Sequence, residues 1–172
     1  MPGVRPGPDR GNRSRRGRLR RILPAVTAYW PIPEGVRVLK DGGWRVGGFP
    51  VVHAPSLRHL KSRLVFEDDG AFVVEGSQRM PVVVEGPPLE VQSVVLDREQ
   101  GEARVVLDDG SEEALVEANL NWETGRFECP VRGGRARALF SRGAHQLLLQ
   151  HFTEEDGRFY LRVGARQVPI RT

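Results

Sequence analysis

From residue 36 onward the chain alternates apolar and polar positions in short runs that glycine-containing turns separate. Alternation with period two is typical of half-buried β-strands, and Asp-Gly pairs favour tight turns between them. The pattern predicts a hairpin over residues 36–46 and a meander of three strands over residues 94–124, with turns at 99–102 and 108–111. Two more strands are predicted in apolar segments that end near proline, residues 47–52 and 125–131.

Two segments have helical periodicity instead. Residues 55–66 place Leu57, Leu60 and Leu64 on one stripe, which predicts an amphipathic helix that ends at an Asp-Gly step. Residues 135–152 form a longer predicted helix with Gly143 near its middle. Glycine costs about 1 kcal/mol inside a helix, so a break or a close packing contact is expected there.

After each predicted helix the same pattern of residues occurs. EDDGAFVVEGSQRMPV (67–82) and EEDGRFYLRVGARQVPI (154–170) share acidic residues, glycine, an aromatic residue, apolar residues, a second glycine turn and proline. We interpret the pattern as a helix end, a strand, a turn and a strand, repeated about 87 residues apart. The sequence therefore predicts an α+β fold of two similar small units, each a helix packed on antiparallel β-hairpins or a meander.

The predicted organisation has three parts: a disordered Arg-rich tail (1–29), an N-terminal α+β unit (30–86), and a meander with the C-terminal α+β unit (87–172). The predicted buried residues are Trp44, Phe49, Leu57, Leu60, Leu64, Phe72, Val74, Phe127, Leu139, Leu147, Leu148, Phe159 and Leu161. Cys129 shares the strand face of Phe127, which predicts a buried and unreactive thiol.

Charge is distributed unevenly along the chain. Residues 1–21 hold eight Arg and one Asp, a net charge of +7, whereas the whole chain carries +4, so residues 22–172 carry −3. The folded part therefore gives no electrostatic reason to bind duplex DNA. Three interpretations of the tail stay open: a consequence of GC-rich codons or an over-extended gene start, an arm that binds nucleic acid or other anions, and a secretory signal interrupted by Pro24.

Candidate chemistry is sparse. The acidic clusters 67–69 and 154–156 lack the alternating ligand spacing of an EF-hand, and the four His residues form no metal-binding motif. The sequence predicts no catalytic residue, no metal and no cofactor. A lone cysteine favours a cytoplasmic location, and no apolar run is long enough to span a membrane.

One segment stands out as a candidate ligand site, VRGGRARALFSR (131–142). A glycine pair that opens a helix and is flanked by arginines would offer free backbone N–H groups and positive charge to a phosphate or carboxylate. The alternative is a glycine-rich connection with solvated arginines. The predicted ligand-binding residues are Arg132, Gly133, Gly134, Arg135 and Arg142.

These segments together resemble a bacterial family of unknown function. The match runs from VRVLKDGGWRVGGFPVV through EDDGAFVV, VRGG, ALFSR and EEDGRFYLRVG to VPI and covers about residues 34–171. The resemblance implies a duplicated α+β repeat whose C-terminal half is similar to pleckstrin-homology barrels, a nucleotide-like ligand between the two units, and a role in signal transduction. The chain departs from the family at Arg137, where an acidic residue is expected, and at Gly143, where proline is usual.

We therefore expect a non-enzymatic regulatory protein that binds a small anionic or nucleotide-like ligand between its units. Two alternatives stay open: a nucleic-acid-associated protein that acts through its basic tail, and an enzyme without a recognisable signature. A cavity that holds two ionisable groups with displaced pKa values would favour the enzyme.

Overall fold

The computed structural model describes Gly3, residues 35–123 and residues 125–170. The predicted Arg-rich tail and its binding to nucleic acid lie outside the described residues apart from Gly3. The described part is an α+β structure with helices and mixed sheets in two similar units, which confirms the predicted fold class. Neither α-helix in this part is long and apolar enough to cross a membrane.

The first sheet is built around the predicted N-terminal hairpin. Its strands are β1 (Val36–Val38), β2 (Trp44–Val46), β3 (Phe49–Pro50), β4 (Leu64–Glu67), β5 (Gly70–Glu75) and β6 (Gln78–Val84), and helix α1 (Ala54–Ser62) connects β3 to β4. The spatial order is β3-β2-β1-β6-β5-β4. The pairing of Val38 with Trp44 confirms the hairpin, and β1 also pairs in parallel with β6.

The second sheet contains the predicted meander. Its strands are β7 (Leu89–Asp97), β8 (Glu102–Leu107), β9 (Glu112–Ala114), β10 (Asn121–Glu123), β11 (Arg126–Val131) and β12 (Ala136–Phe140). They lie in the order β10-β11-β12-β7-β8-β9, with β12 parallel to β7 and the other pairs antiparallel. The turns that follow β7 and β8 lie where the Gly-containing segments predicted them.

A small third sheet completes the C-terminal unit. Helix α2 (Arg142–Leu149) precedes β13 (Phe152–Glu155), β14 (Arg158–Val163) and β15 (Arg166–Pro169), which pair in sequence order. In the first unit β6 pairs with both β5 and β1, whereas among the described strands the equivalent β15 pairs only with β14. All strands of the first sheet precede residue 86 and the others follow residue 88; the domain boundary itself stays a prediction.

Both predicted helices are too long. The first ends at Ser62, because residues 64–67 pair with β5 as a strand. The prediction of a helix from 135 is wrong for its first part, since Ala136–Phe140 forms β12 between β11 and β7. Helix α2 begins after Ser141, whose Oγ accepts a hydrogen bond from the Ala144 backbone N–H. Gly143 therefore lies in the first turn.

The duplication is confirmed, with a register that differs from the sequence alignment by one residue. Ala54 and Arg142 begin the two helices, and Gly70 and Arg158 begin the strands after the first turn, so equivalent positions are 88 residues apart. The acidic motifs form hairpin turns between strands, not helix ends. The turn residues are 68–69 in the first unit and 156–157 in the second, where both have positive φ.

The core agrees with most of the predicted buried residues. Buried as predicted are Trp44, Leu64, Phe72, Phe127, Leu139, Leu148 and Leu161, together with Cys129, and Leu57, Leu60 and Val74 are partly buried. The prediction is wrong for Phe49, Leu147 and Phe159, which are exposed. Phe49 lies on a two-residue edge strand. Phe159 shares the face of β14 with the buried Leu161 but borders a cavity.

The two units are joined by specific polar contacts. Lys61 of α1 forms an ion pair with Asp108, in the turn after β8, and Lys61 is only 5% exposed. The Trp44 indole N–H donates to the Pro88 carbonyl oxygen at 3.0 Å. Gly86 packs so closely that a Cβ atom there would lie 2.5 Å from the carbonyl oxygens of Leu39 and Lys40. The segment between the units is therefore fixed to the first hairpin.

Candidate functional site

The predicted glycine pair lies in a tight turn between two strands. Arg132, Gly133 and Gly134 connect β11 to β12 and all have positive φ, at 56°, 65° and 86°. Glycine adopts this left-handed conformation without steric cost, whereas an arginine does so at some expense. The prediction that a helix starts at this glycine pair is therefore wrong. The prediction that the pair offers the free backbone N–H groups of a helix start is wrong with it.

Arg132 is held by two carboxylates of its own unit. Its backbone N–H donates to Glu113 Oε2 at 2.7 Å, and its guanidinium forms ion pairs with Asp109 and, at 3.3 Å, with Glu113 Oε1. The Asp109 side chain is 3% exposed. These contacts fix the turn after β11 to the turn after β8, and they neutralise the charge that the predicted site requires.

Three of the five predicted site residues nevertheless face the other unit. Arg132, Gly133 and Arg135 line an open cavity of about 600 Å³ opposite Ser62 and residues 64–66, which we name the inter-unit groove. Arg135 Nη1 donates to the Phe66 carbonyl oxygen at 3.0 Å. Gly134 follows in the turn and is not in the described lining. Ligand binding by these residues stays a prediction.

Arg142 lies elsewhere, in a cavity of the C-terminal unit. This cavity, of about 460 Å³, is lined by Gly125, Arg126, Arg142, His145 and Gln146, and we name it the cationic cavity. One wall is the first turns of α2, and the other is the β10–β11 turn. Neither arginine forms an ion pair with another described residue, and the described lining contains no carboxylate.

His145 has an unusual environment within this wall. It is 9% exposed, and its ring packs against Phe127 and Trp122 with centroid distances of 5.0 and 5.2 Å. Its Nδ1 atom is buried without a hydrogen-bond partner among the described residues. Burial, and then the positive charge of Arg126, lower the pKa of His145 below its usual 6.5. The imidazole is therefore neutral at pH 7.

A second cavity is lined by the two aromatic residues that contact the His145 ring. About 290 Å³ in volume, it is lined by Trp122, Phe127, Leu149, Phe152, Phe159 and Ile170, and we name it the apolar cavity. Trp122 and Phe127 contact the ring of His145, which lines the cationic cavity, so packed rings link the linings of the two cavities. Trp122, Phe159 and Leu149 are 44%, 41% and 37% exposed, although all three are large apolar residues.

Other candidate chemistry is absent from, or inert in, the described residues. Burial and the nearby Glu113 and Glu128 carboxylates raise the pKa of the Cys129 thiol to about 12, so Cys129 stays protonated in the core. No group of three or more His, Cys, Asp or Glu residues in the described ranges could hold a metal ion. The groups with displaced pKa values, Cys129 and His145, do not line one cavity.

Sequence reasoning missed Arg126, His145 and the aromatic residues of the second cavity. A local signal was present: Arg142, His145, Gln146 and Leu149 follow the spacing i, i+3, i+4 and i+7 that places residues on one helix face. The position of Arg126 opposite α2 depends on the tertiary fold and has no local signal.

Comparison with solved structures identifies the fold. A DUF1285 family protein from Silicibacter pomeroyi DSS-3 superposes with a TM-score of 0.60 at 22% sequence identity and covers 80% of each chain. A second, from Shewanella baltica OS155, gives a TM-score of 0.53 at 16% identity and covers 69% of this chain and 92% of that one. No family model and no curated protein matches the chain.

The chain therefore has the fold of bacterial DUF1285 proteins, a family of unknown function. The resemblance predicted from the sequence is confirmed at this level.

Proposed function

We propose that the protein is a non-enzymatic regulatory protein that binds a small anionic ligand in the cationic cavity. The observation that carries the proposal is the pair of arginines, Arg126 and Arg142, that face one cavity without ion-pair partners among the described residues. Arginine binds carboxylates and phosphates through a planar array of donors, and unpaired arginines on both walls are arranged to hold such a group.

The neutral state of His145 adds a second reason. An anion bound beside the ring would offset the charge of Arg126 and favour the imidazolium form, which can donate a hydrogen bond. Ligand binding and protonation of His145 would then be coupled, and each would strengthen the other. Such coupling suits a protein whose output depends on ligand occupancy.

The proposed site differs from the location implied by the family resemblance. In the inter-unit groove Arg132 is already paired with Asp109 and Glu113, and Arg135 donates to a backbone carbonyl. An anion there would have to displace or share these contacts, whereas the cationic cavity requires no displacement. A role in signal transduction remains the biological context that the resemblance implies, and we include it in the proposal.

The test follows the side-chain NMR signals of His145 in the full chain, assigned with the variant His145→Gln. Acetate, inorganic phosphate and AMP are titrated separately at pH 7. We expect at least one of them to shift the His145 signals and to raise the pKa of His145.

The variants Arg126→Gln and Arg142→Gln should weaken the response about tenfold or more, since a charge-assisted hydrogen bond contributes about 1.5–3 kcal/mol. Arg158→Gln removes the same charge from an exposed position on β14 outside the cavity and serves as the matched control. No shift with any of the three anions, or equal shifts in Arg142→Gln and the parent chain, would reject the proposal.

A further inference from the structure

The apolar cavity has features that the proposed anion site does not explain. Three large apolar side chains on three different elements, Trp122, Leu149 and Phe159, stay 37–44% exposed around it. Each exposed apolar side chain costs free energy that burial would recover, at roughly 25 cal/mol per Å². A wall formed jointly by β10, α2 and β14 is more specific than scattered surface residues, and such patches mark binding sites.

The two cavities, one charged and one apolar, are lined by side chains that pack against each other. Along α2, Arg142, His145 and Leu149 lie on one face, so the helix itself runs from the charged end to the apolar end. His145 lines the cationic cavity and packs on Trp122 and Phe127, which line the apolar one. Ligand pockets combine a mostly apolar lining with a few placed polar groups, in volumes of roughly 300–1,000 Å³.

We propose that the ligand is an amphipathic acid, a carboxylate or phosphate on a hydrocarbon tail, with the anion between Arg126 and Arg142 and the tail in the apolar cavity. This inference rests on the proposed function and names the class of its ligand. Charge complementarity at one end and matched apolar surface at the other both support it.

The same chemistry disfavours a nucleotide as the occupant of this site. The side chains that line the apolar cavity are aromatic or aliphatic, and the one with a polar atom is Trp122, whose indole offers a single donor. A nucleobase placed there would leave ring nitrogens and exocyclic groups without partners, at a cost of about 1–3 kcal/mol for each buried group. A hydrocarbon tail has no such cost.

The experiment uses the full chain and the fluorescent probe 8-anilinonaphthalene-1-sulfonate, which itself combines an aromatic body with an anionic group. Decanoate, octanoate, decanol and AMP are compared as competitors. We expect decanoate to displace the probe, and octanoate to bind about fifteen-fold more weakly, because two buried methylene groups are lost. Decanol, which has the tail without the charge, should bind at least about tenfold more weakly than decanoate.

Variants separate the two ends of the site. Phe159→Ser should weaken decanoate binding about tenfold or more while the His145 response to acetate or phosphate stays unchanged. Arg142→Gln should weaken both. Val95→Ser, at a position 49% exposed on β7, is the matched control for loss of an exposed apolar side chain and should bind decanoate normally.

The possible results divide clearly. Failure of decanoate to compete, with the His145 response to small anions intact, overturns this inference and leaves the proposed function standing. Failure of both measurements rejects both. Decanol that binds as well as decanoate, AMP that binds better than decanoate, or Phe159→Ser that binds as the parent chain does would each overturn the amphipathic ligand.

Discussion

The ion pair between Lys61 and Asp108 should carry much of the stability of the contact between the units. The Lys61 side chain is 6% exposed and that of Asp108 is 15% exposed. Asp108 Oδ1 also accepts a hydrogen bond from the Glu90 backbone N–H at 3.1 Å. In Lys61→Met the aliphatic stem is kept, but a largely buried carboxylate loses its counter-ion.

The expected cost follows from this geometry. Removal of one partner of a buried ion pair costs about 3–5 kcal/mol, because the remaining charge stays desolvated. Asp108 keeps its backbone hydrogen bond and a small exposed area, so Lys61→Met should lie at the lower end, at about 3 kcal/mol. In the double variant with Asp108→Asn neither charge of this pair remains, and the double variant should cost about 1–3 kcal/mol less than the sum of the two single variants.

Urea unfolding of the single and double variants, followed by tryptophan fluorescence and circular dichroism, measures these free energies. The control is the exposed pair of Arg37 and Glu85, with side chains 48% and 32% exposed, where Arg37→Met should cost no more than about 1 kcal/mol. The cost of Lys61→Met should persist in high salt, since buried pairs are screened little. A cost within that of Arg37→Met, or strict additivity in the double variant, would refute the reasoning.

Four further substitutions test other parts of the structure by the same unfolding measurement. Gly86→Ala should lower the free energy of unfolding by about 1–3 kcal/mol, because the new Cβ would lie 2.5 Å from backbone oxygens. Gly143→Ala, in a helix with open space around it, should raise the free energy of unfolding by about 0.5–1 kcal/mol. The opposite order would contradict the packing. Because the folded pKa of His145 is lowered, its contribution to stability is complete above pH 6.5 and is lost as the pH falls from 6.5 through the folded pKa. His145→Leu should remove this part of the pH dependence of stability. An unchanged dependence of stability on pH would contradict the lowered pKa of His145. Arg132→Gln should cost about 3 kcal/mol by leaving the buried Asp109 without its partner, yet should not change the response of His145 to anions; weaker anion binding would restore the inter-unit groove as the site.

The strands were predictable because their signals are local. Alternating residues and Asp-Gly turns located the first hairpin and the β7–β9 meander, and both are present with the expected turns. Residues 136–140 misled because Ala, Arg and Leu are good helix formers. Pairing with β11 on one side and β7 on the other overrides that preference, and the strand is buried at Ala138 and Phe140.

The candidate site was predictable only in part, for a related reason. Arg142, a predicted ligand-binding residue, lines the cationic cavity, whereas the predicted neighbours Arg132 and Arg135 line the inter-unit groove. Ligand binding by any of them stays a prediction. In the structure Arg132 forms ion pairs with carboxylates of the β8–β9 region. Arg126, on strand β11, lines the cationic cavity beside Arg142, the position that the prediction gave to Arg132. Which arginines pair and which stay free is decided by contacts distant in sequence.

The duplication explains why the two cavities occur in the second unit. At the spacing of 88 residues, Lys61 corresponds to Leu149 and Leu57 to His145. In the first unit Leu57 packs on the core of its own unit and Lys61 pairs with Asp108 of the second unit, so this helix face is used for packing and, through Lys61, for contact between the units. In the second unit the same face carries Leu149 beside the apolar cavity and a buried imidazole whose Nδ1 has no hydrogen-bond partner in the described part of the chain. An unpaired buried polar atom lowers stability by about 1–3 kcal/mol, and leucine at the equivalent position of the first unit has no such cost. The presence of His145 there, beside Arg126 and Arg142, which have no ion-pair partner among the described residues, is accounted for if the second unit uses this helix face for a ligand.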